Sequence, residues 1–355
     1  MLLTIFEMRS FIAVINGMHV CLGCTIINIR LMVLIKRLSC LEKVKSFIND
    51  RKYGGDDPDA AQIRQKAYEN SMLVTFIFML NIFYQTISLP ISGMGGGEPM
   101  QFPFNLESLP ELKRQAIKQL YALFWIPYVY LAANNFLSIY LTLVGLRAEM
   151  KITVDSFEKI FETANVKLEM EANERRQNPR EERYWELLQK ELAQCVEHHS
   201  EVLKQLENFK TITNISFLIL YYMTMLFIGF GILIAFFYPV FDAFILISID
   251  YTMRYVIECY VLCRLVATFN DTQRNIAHAL YGNDWIRKLK FSPKFAQEYK
   301  KVRLTFLIVM AQSQQSLKIK CGNIFELSMG KFTRLINAYY TIVIFLYNFV
   351  RNARF

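Results

Sequence analysis

Charge is scarce in this sequence. Asp, Glu, Lys and Arg make up 20% of it, where a soluble domain holds about a quarter. Histidine is rarer, with 4 residues in all. Two of them, His198 and His199, are adjacent, and neighbours on a helix point to different faces, so they do not read as a metal pair. The 7 cysteines form no framework. Cys21 and Cys24 fall inside one apolar run, Cys259 and Cys263 inside another, and Cys40, Cys195 and Cys321 are scattered. A CxxC metal site needs a second pair and a wet loop. A secretory leader would carry its charge first and a small-residue cleavage site, and neither pattern occurs near residue 1. No phosphate loop, nucleophile–base pairing or metal-ligand spacing is legible, so neither an enzyme nor a cofactor is expected.

Apolar and aromatic residues are abundant instead. Hydrophobic residues reach 54%, with 29 Phe and 19 Tyr, and mean hydropathy is +0.23. This composition fits an all-α polytopic membrane protein, a helical bundle in lipid. A net charge of +9 could suggest nucleic acid, but the basic residues sit in loops between apolar runs, as membrane topology requires. No nucleic-acid partner is expected.

The runs predict six spans, at about 11–35, 71–89, 120–146, 211–238, 243–269 and 332–350, in one transmembrane domain over residues 1–355. Trp125, Tyr128 and Tyr130 suit an aromatic belt at the outer end of the third span, and Pro127 is expected to kink it. The basic loops 38–69 and 270–303 belong inside, the loop 91–119 outside, and both termini outside. Two polar stretches, about 147–210 and 270–320, read as a cytoplasmic helical anchor region. Within the first, Trp185, Leu188, Leu192, Cys195, His199, Val202, Leu206 and Phe209 recur at spacings of three and four. That is a heptad seam, predicting a long wet helix that runs on into the fourth span.

Two polar patterns interrupt the apolar runs. Asp250, Arg254 and Glu258 stand four apart in the fifth span, where they can pair on one helix face. Ionisable groups in a span face the bundle interior or a cavity, so this intramembrane triad either fixes packing or serves ligand recognition or gating. In the last helix Asn337, Thr341, Ile344 and Asn348 share one face. Such a stripe either hydrogen-bonds to neighbouring helices or lines a pore. Before it, the stretch from Leu304 to Leu317 is too short to span a bilayer. Lys318 to Asn323 breaks it from the apolar run that follows. The terminal helix is therefore expected in two parts, one cytoplasmic and one in the membrane.

The run from Gln314 to Phe332, followed by Ala338-Tyr339-Tyr340-Thr341, resembles the last segment of the insect odorant receptors. The match rests on Cys321, Gly322, Phe325, Leu327, Ser328, Phe332 and Tyr339, and it departs at Ser316, Tyr340 and Thr341. The resemblance implies seven spans, and the order and lengths of the loops here match the second to seventh. The expectation is that the family's first span is absent from this sequence, through truncation or an incomplete gene model.

The resemblance also implies a subunit of a ligand-gated, non-selective cation channel. It would form a hetero-tetramer with a co-receptor subunit in the plasma membrane, in olfactory neuron dendrites, and be gated by a volatile hydrophobic small molecule. The pore is then lined by Asn337, Thr341, Ile344 and Asn348, with Ile344 near the constriction. The odorant pocket lies in the outer halves of the spans. Its candidates are Tyr84, Ile87, Phe124, Tyr128, Phe244, Ile247 and Tyr251. A gustatory receptor of the same superfamily, a G-protein-coupled receptor and a secondary transporter are the alternatives. The Q-F ending of the first, the acidic-Arg and N-P-x-x-Y motifs of the second and the paired broken helices of the third are not found.

Overall fold

A computed structural model describes residues 11–94, 109–124, 126–174, 180–237 and 243–353. Within them the apolar runs are the middles of longer helices. Helix α1 spans Phe11–Lys36 and α2 Leu38–Asp50. The chain leaves α2 through Arg51, whose φ of 47° is left-handed. Helix α3, Pro58–Met94, carries Pro58 in its first turn, where the missing N–H costs nothing. The Asp57 carboxylate accepts from the Asp59 N–H at 3.0 Å.

The run expected as the third span covers α4 (Glu111–Phe124) and α5 (Ile126–Glu158). Pro127 is the second described residue of α5. Trp125 lies outside the described residues. Helix α6 (Ile160–Glu174) precedes α7 (Arg180–Phe237), which has 58 residues and is about 87 Å long. All eight seam residues of α7 are buried, and they pack in the main hydrophobic core, except His199, which stands edge-on to Phe157. Helix α8 (Ala243–Gly282) is followed by the short α9 (Trp285–Lys288), a 3-10 turn, and α10 (Ala296–Ser313).

Between α10 and the last helix, α11 (Met329–Ala353), the break is a small antiparallel hairpin, β1 (Lys320–Cys321) against β2 (Phe325–Glu326). Its turn passes through Gly322 and Asn323 at positive φ of 58° and 59°. The hairpin docks on α7. The Gly322 N–H donates to the Asn214 carbonyl at 2.9 Å, and the Asn323 N–H donates to Asn214 Oδ1 at 3.1 Å. A Cβ on residue 322 would run into the Leu218 side chain, and the positive φ also favours glycine there.

Among the described residues, Pro58–Ser88, Glu111–Glu158 and Glu181–Ile232 are long and apolar enough by themselves to cross a membrane. Helix α8 is diluted by Asp250, Arg254 and Glu258, and α11 by Asn337, Asn348 and its tyrosines. The main core runs along the helices, from Phe136 and Leu143 through Met150 and Phe157 to Phe306. A smaller cluster of Ile82, Val129 and Ala133 lies on α3 and α5.

Candidate functional site

Three places carry polar chemistry inside or beside the apolar bundle. The first is a buried charge network joining α1, α3, α5 and α8. Arg254 Nε donates to Glu258 Oε1 at 3.2 Å, one turn along α8. Arg30 of α1 donates from Nη1 to Glu258 Oε2 at 3.3 Å and from Nε to Asn135 Oδ1 on α5 at 3.2 Å. Asn135 returns a bond from Nδ2 to the Arg30 carbonyl at 3.1 Å. Asp250 does not turn to Arg254. Its oxygens accept from Asn81 Nδ2 at 2.8 Å and Gln85 Nε2 at 2.6 Å, both on α3. Gln85 Oε1 then accepts from Arg254 Nη1 at 3.0 Å.

The result is two guanidinium groups, one carboxylate between them, and a second carboxylate linked through an amide. The formal charges cancel. Glu258 is 0% exposed and Arg30 2%, so neither charge is hydrated, and removing one partner would leave the other buried and unpaired. The spacing of Asp250, Arg254 and Glu258 was legible in sequence. Arg30, Asn135, Asn81 and Gln85 were not, because Arg30 is 228 residues from Glu258 and no local pattern links them. The signal available was one arginine inside an otherwise apolar run.

The second place is the outer cluster. Around Ile82, Val129 and Ala133 pack Cys24, Tyr121, Tyr128 and Tyr251. The structure thus brings Tyr128 and Tyr251 together. Ile247 is buried nearby on α8, one turn before Tyr251. Tyr84 and Ile87 are 46% and 44% exposed and are not part of this cluster. The side chains of Phe124 and Phe244 lie outside the described residues.

The third place is α11. It packs on α8 and α7 through buried Leu335 and Tyr339 and partly buried Phe332. At about 100° per residue, Asn337, Thr341, Ile344 and Asn348 lie about half a turn from that seam, and all four are exposed in the single chain. Thr341 Oγ1 donates to the Asn337 carbonyl at 3.0 Å, within the helix. No neighbouring helix of this chain uses the stripe as a hydrogen-bonded contact among the described residues.

Away from these places, Arg64 clamps Glu149 through Nε and Nη2 at 2.8 and 2.9 Å. His198 stacks on Tyr53 with ring centroids 4.4 Å apart. Its Nε2 stands 3.5 Å from Glu149 Oε2, too far to share a carboxylate that Arg64 already holds. Burial pushes both His198 and His199 down to about 4, so both are neutral at physiological pH. Burial likewise pushes the Cys195 thiol up to about 11, which keeps it protonated and unreactive. A groove of about 1070 Å³ opens beside His198, between α2 and α7, lined by Lys43, Asp50, Glu197 and Glu201 among others. Among the described residues no group of three or more His, Cys, Asp or Glu is placed to hold a metal ion.

The sequence model of one family, described as the 7tm odorant receptor, matches residues 10–340. Among solved structures, the fold is similar to the insect olfactory receptor OR5 from Machilis hrabei. The TM-score is 0.74 at 13% sequence identity, over 96% of this chain and 83% of that one. It is equally similar to the structure of that receptor in complex with eugenol, with a TM-score of 0.74 at 13% identity, over 97% of this chain and 84% of that one. No curated protein matches the sequence.

Proposed function

From the premise that this chain belongs to the 7tm odorant receptor family, we propose that it is the odorant-binding subunit of a ligand-gated, non-selective cation channel. It binds a volatile hydrophobic small molecule and assembles with a co-receptor subunit in the plasma membrane of olfactory neuron dendrites. The observation that carries this reading is the polar stripe of α11, exposed and opposite the face by which α11 packs on its own bundle. A polar stripe on a membrane helix needs water or a polar partner. A central pore between subunits supplies both, with the rest of each subunit outside it.

The wet segment supports assembly. Leu304, Leu307 and Ile308 on α10, Tyr281 near the end of α8, Ile286 on α9 and Phe291 are all exposed in the single chain. Large apolar side chains outside the membrane in such number suit a contact with another subunit. The outer cluster around Tyr128 and Tyr251 is the binding region, walled by aromatic rings. Similarity of fold to an olfactory receptor seen with eugenol supports a small organic ligand.

Whole-cell recording tests the reading. Cells expressing this chain together with an odorant receptor co-receptor should show cation current when an odorant panel is applied, and cells expressing the co-receptor alone should not respond to the same compounds. Equal responses from both would remove the ligand-binding role from this chain.

A further inference from the structure

The charge network leaves one strong donor unused. Arg254 is 4% exposed, and a guanidinium carries five N–H donors. Nε serves Glu258 and Nη1 serves Gln85. Nη2 is buried and has no hydrogen-bond partner among the described residues. A buried donor of a charged group left unmet is costly, and a ligand that meets it gains correspondingly.

Arg254 is one turn further along α8 than Tyr251, so the two side chains leave the helix on the same side. Tyr251 in turn packs with Tyr128, Tyr121 and Cys24 around Ile82, Val129 and Ala133. The aromatic cluster and the unmet donor thus occupy successive turns of α8.

We propose that the ligand of this receptor carries a neutral hydrogen-bond-accepting oxygen, a ketone or aldehyde carbonyl above all, which docks on Nη2 of Arg254 beneath Tyr251. This rests on the odorant-binding reading and names its ligand class. The charge balance selects the neutral acceptor. Two guanidinium groups already face two carboxylates, so an anionic ligand would add an uncompensated charge to a dry site. A hydrocarbon fills the same volume but leaves Nη2 unmet, and sites built on a buried polar group discriminate strongly against analogues that lack its partner.

The test uses matched pairs that differ only at the acceptor. Methyl pentyl ketone, benzaldehyde and acetophenone are compared with the alkenes that carry a methylene in place of the carbonyl oxygen, and benzoate is compared with benzaldehyde. Binding is read as ligand-induced thermal stabilisation of the purified full-length receptor, and gating as current in cells that also express the co-receptor. At least one carbonyl compound should bind about tenfold tighter than its alkene, and benzoate should bind less tightly than benzaldehyde. Arg254→Lys keeps the charge that Glu258 needs but loses the fork. It should erase the carbonyl advantage, bringing each carbonyl compound to within about twofold of its alkene in the same variant. Alkenes binding as tightly as their carbonyl partners throughout, benzoate outranking benzaldehyde, or an advantage that survives in Arg254→Lys would each overturn the proposal. The wild-type pairs decide alone if the variant does not fold. Binding without current would count against the channel reading only, and leaves the ligand class decided.

Discussion

Single residues set the strictest conditions on this structure. Gly322 holds a positive φ of 58° and faces Leu218 at a distance no Cβ tolerates. Gly322→Ala therefore faces both a backbone penalty and a clash, and about 2–3 kcal/mol of destabilisation is expected. Leu218→Ala on that background should restore only the part due to the clash. Thermal melting of the purified receptor checks both. His198 and His199 make a second condition, on pH. Their folded values near 4 lie below the unfolded value of about 6.5, so between the two the unfolded chain binds more protons. Stability is then complete above about pH 6.5 and falls as pH drops toward 4. The groups facing His198 are Glu149, Arg64 and Glu201, and none of them supplies an imidazolium with a free carboxylate. Lowering the pH from about 7 to about 5 should remove roughly 2 kcal/mol per imidazole. The His198→Gln, His199→Gln double variant should show a flatter melting profile over that range. An equally steep profile would mean that other groups carry the acid sensitivity.

At the scale of elements, what could be read in sequence was whatever repeats along one helix. The seam of α7 is legible because a heptad pattern in a wet helix has one reading, burial. Leu188, Val202, Leu206 and Phe209 are indeed fully buried. The stripe of α11 is legible for the same reason, as a period. Relations between helices were not legible. Asp250 stands four residues from Arg254, yet the amides of Asn81 and Gln85 on α3 take its oxygens. Two amides and a carboxylate across a helix interface satisfy more donors than a second charge pair would. On α11 the opposed faces give opposite predictions. Ile344→Asn adds an amide to the exposed stripe, where an apolar ring would otherwise close a narrow pore by dewetting. It should raise resting current at unchanged surface expression. Tyr339→Asn places the same amide in the buried seam and should lower surface expression, at about 1–3 kcal/mol for the unmet amide. Unchanged resting and evoked currents in Ile344→Asn, with the channel at the surface, would return the stripe to a packing role.

In the proposed topology, α7, α8 and the hairpin join a membrane bundle to a wet helical segment. The composition and the loop charges made the bundle class legible. The charge network that ties α1, α3, α5 and α8 together was not, since its members come from distant parts of the chain. Orientation is testable at two sequons. Asn214 holds the hairpin turn, and Asn270 Oδ1 accepts from the Leu317 N–H at 2.8 Å. In the proposed topology both belong at the inner ends of their spans, so neither should carry a glycan in cells. An enzyme-sensitive mass shift that Asn270→Gln abolishes would reverse the orientation.

On the proposed reading, the chain that binds the odorant also contributes α11 to the pore. Recording from excised inside-out membrane patches, with this chain and a co-receptor present and no nucleotide in the bath, tests it most directly. Odorant in the pipette should still open cation channels after excision, and Ile344→Asn should change their unitary conductance or resting open probability. Openings that vanish on excision and return with added GTP, with conductance indifferent to residue 344, would contradict it.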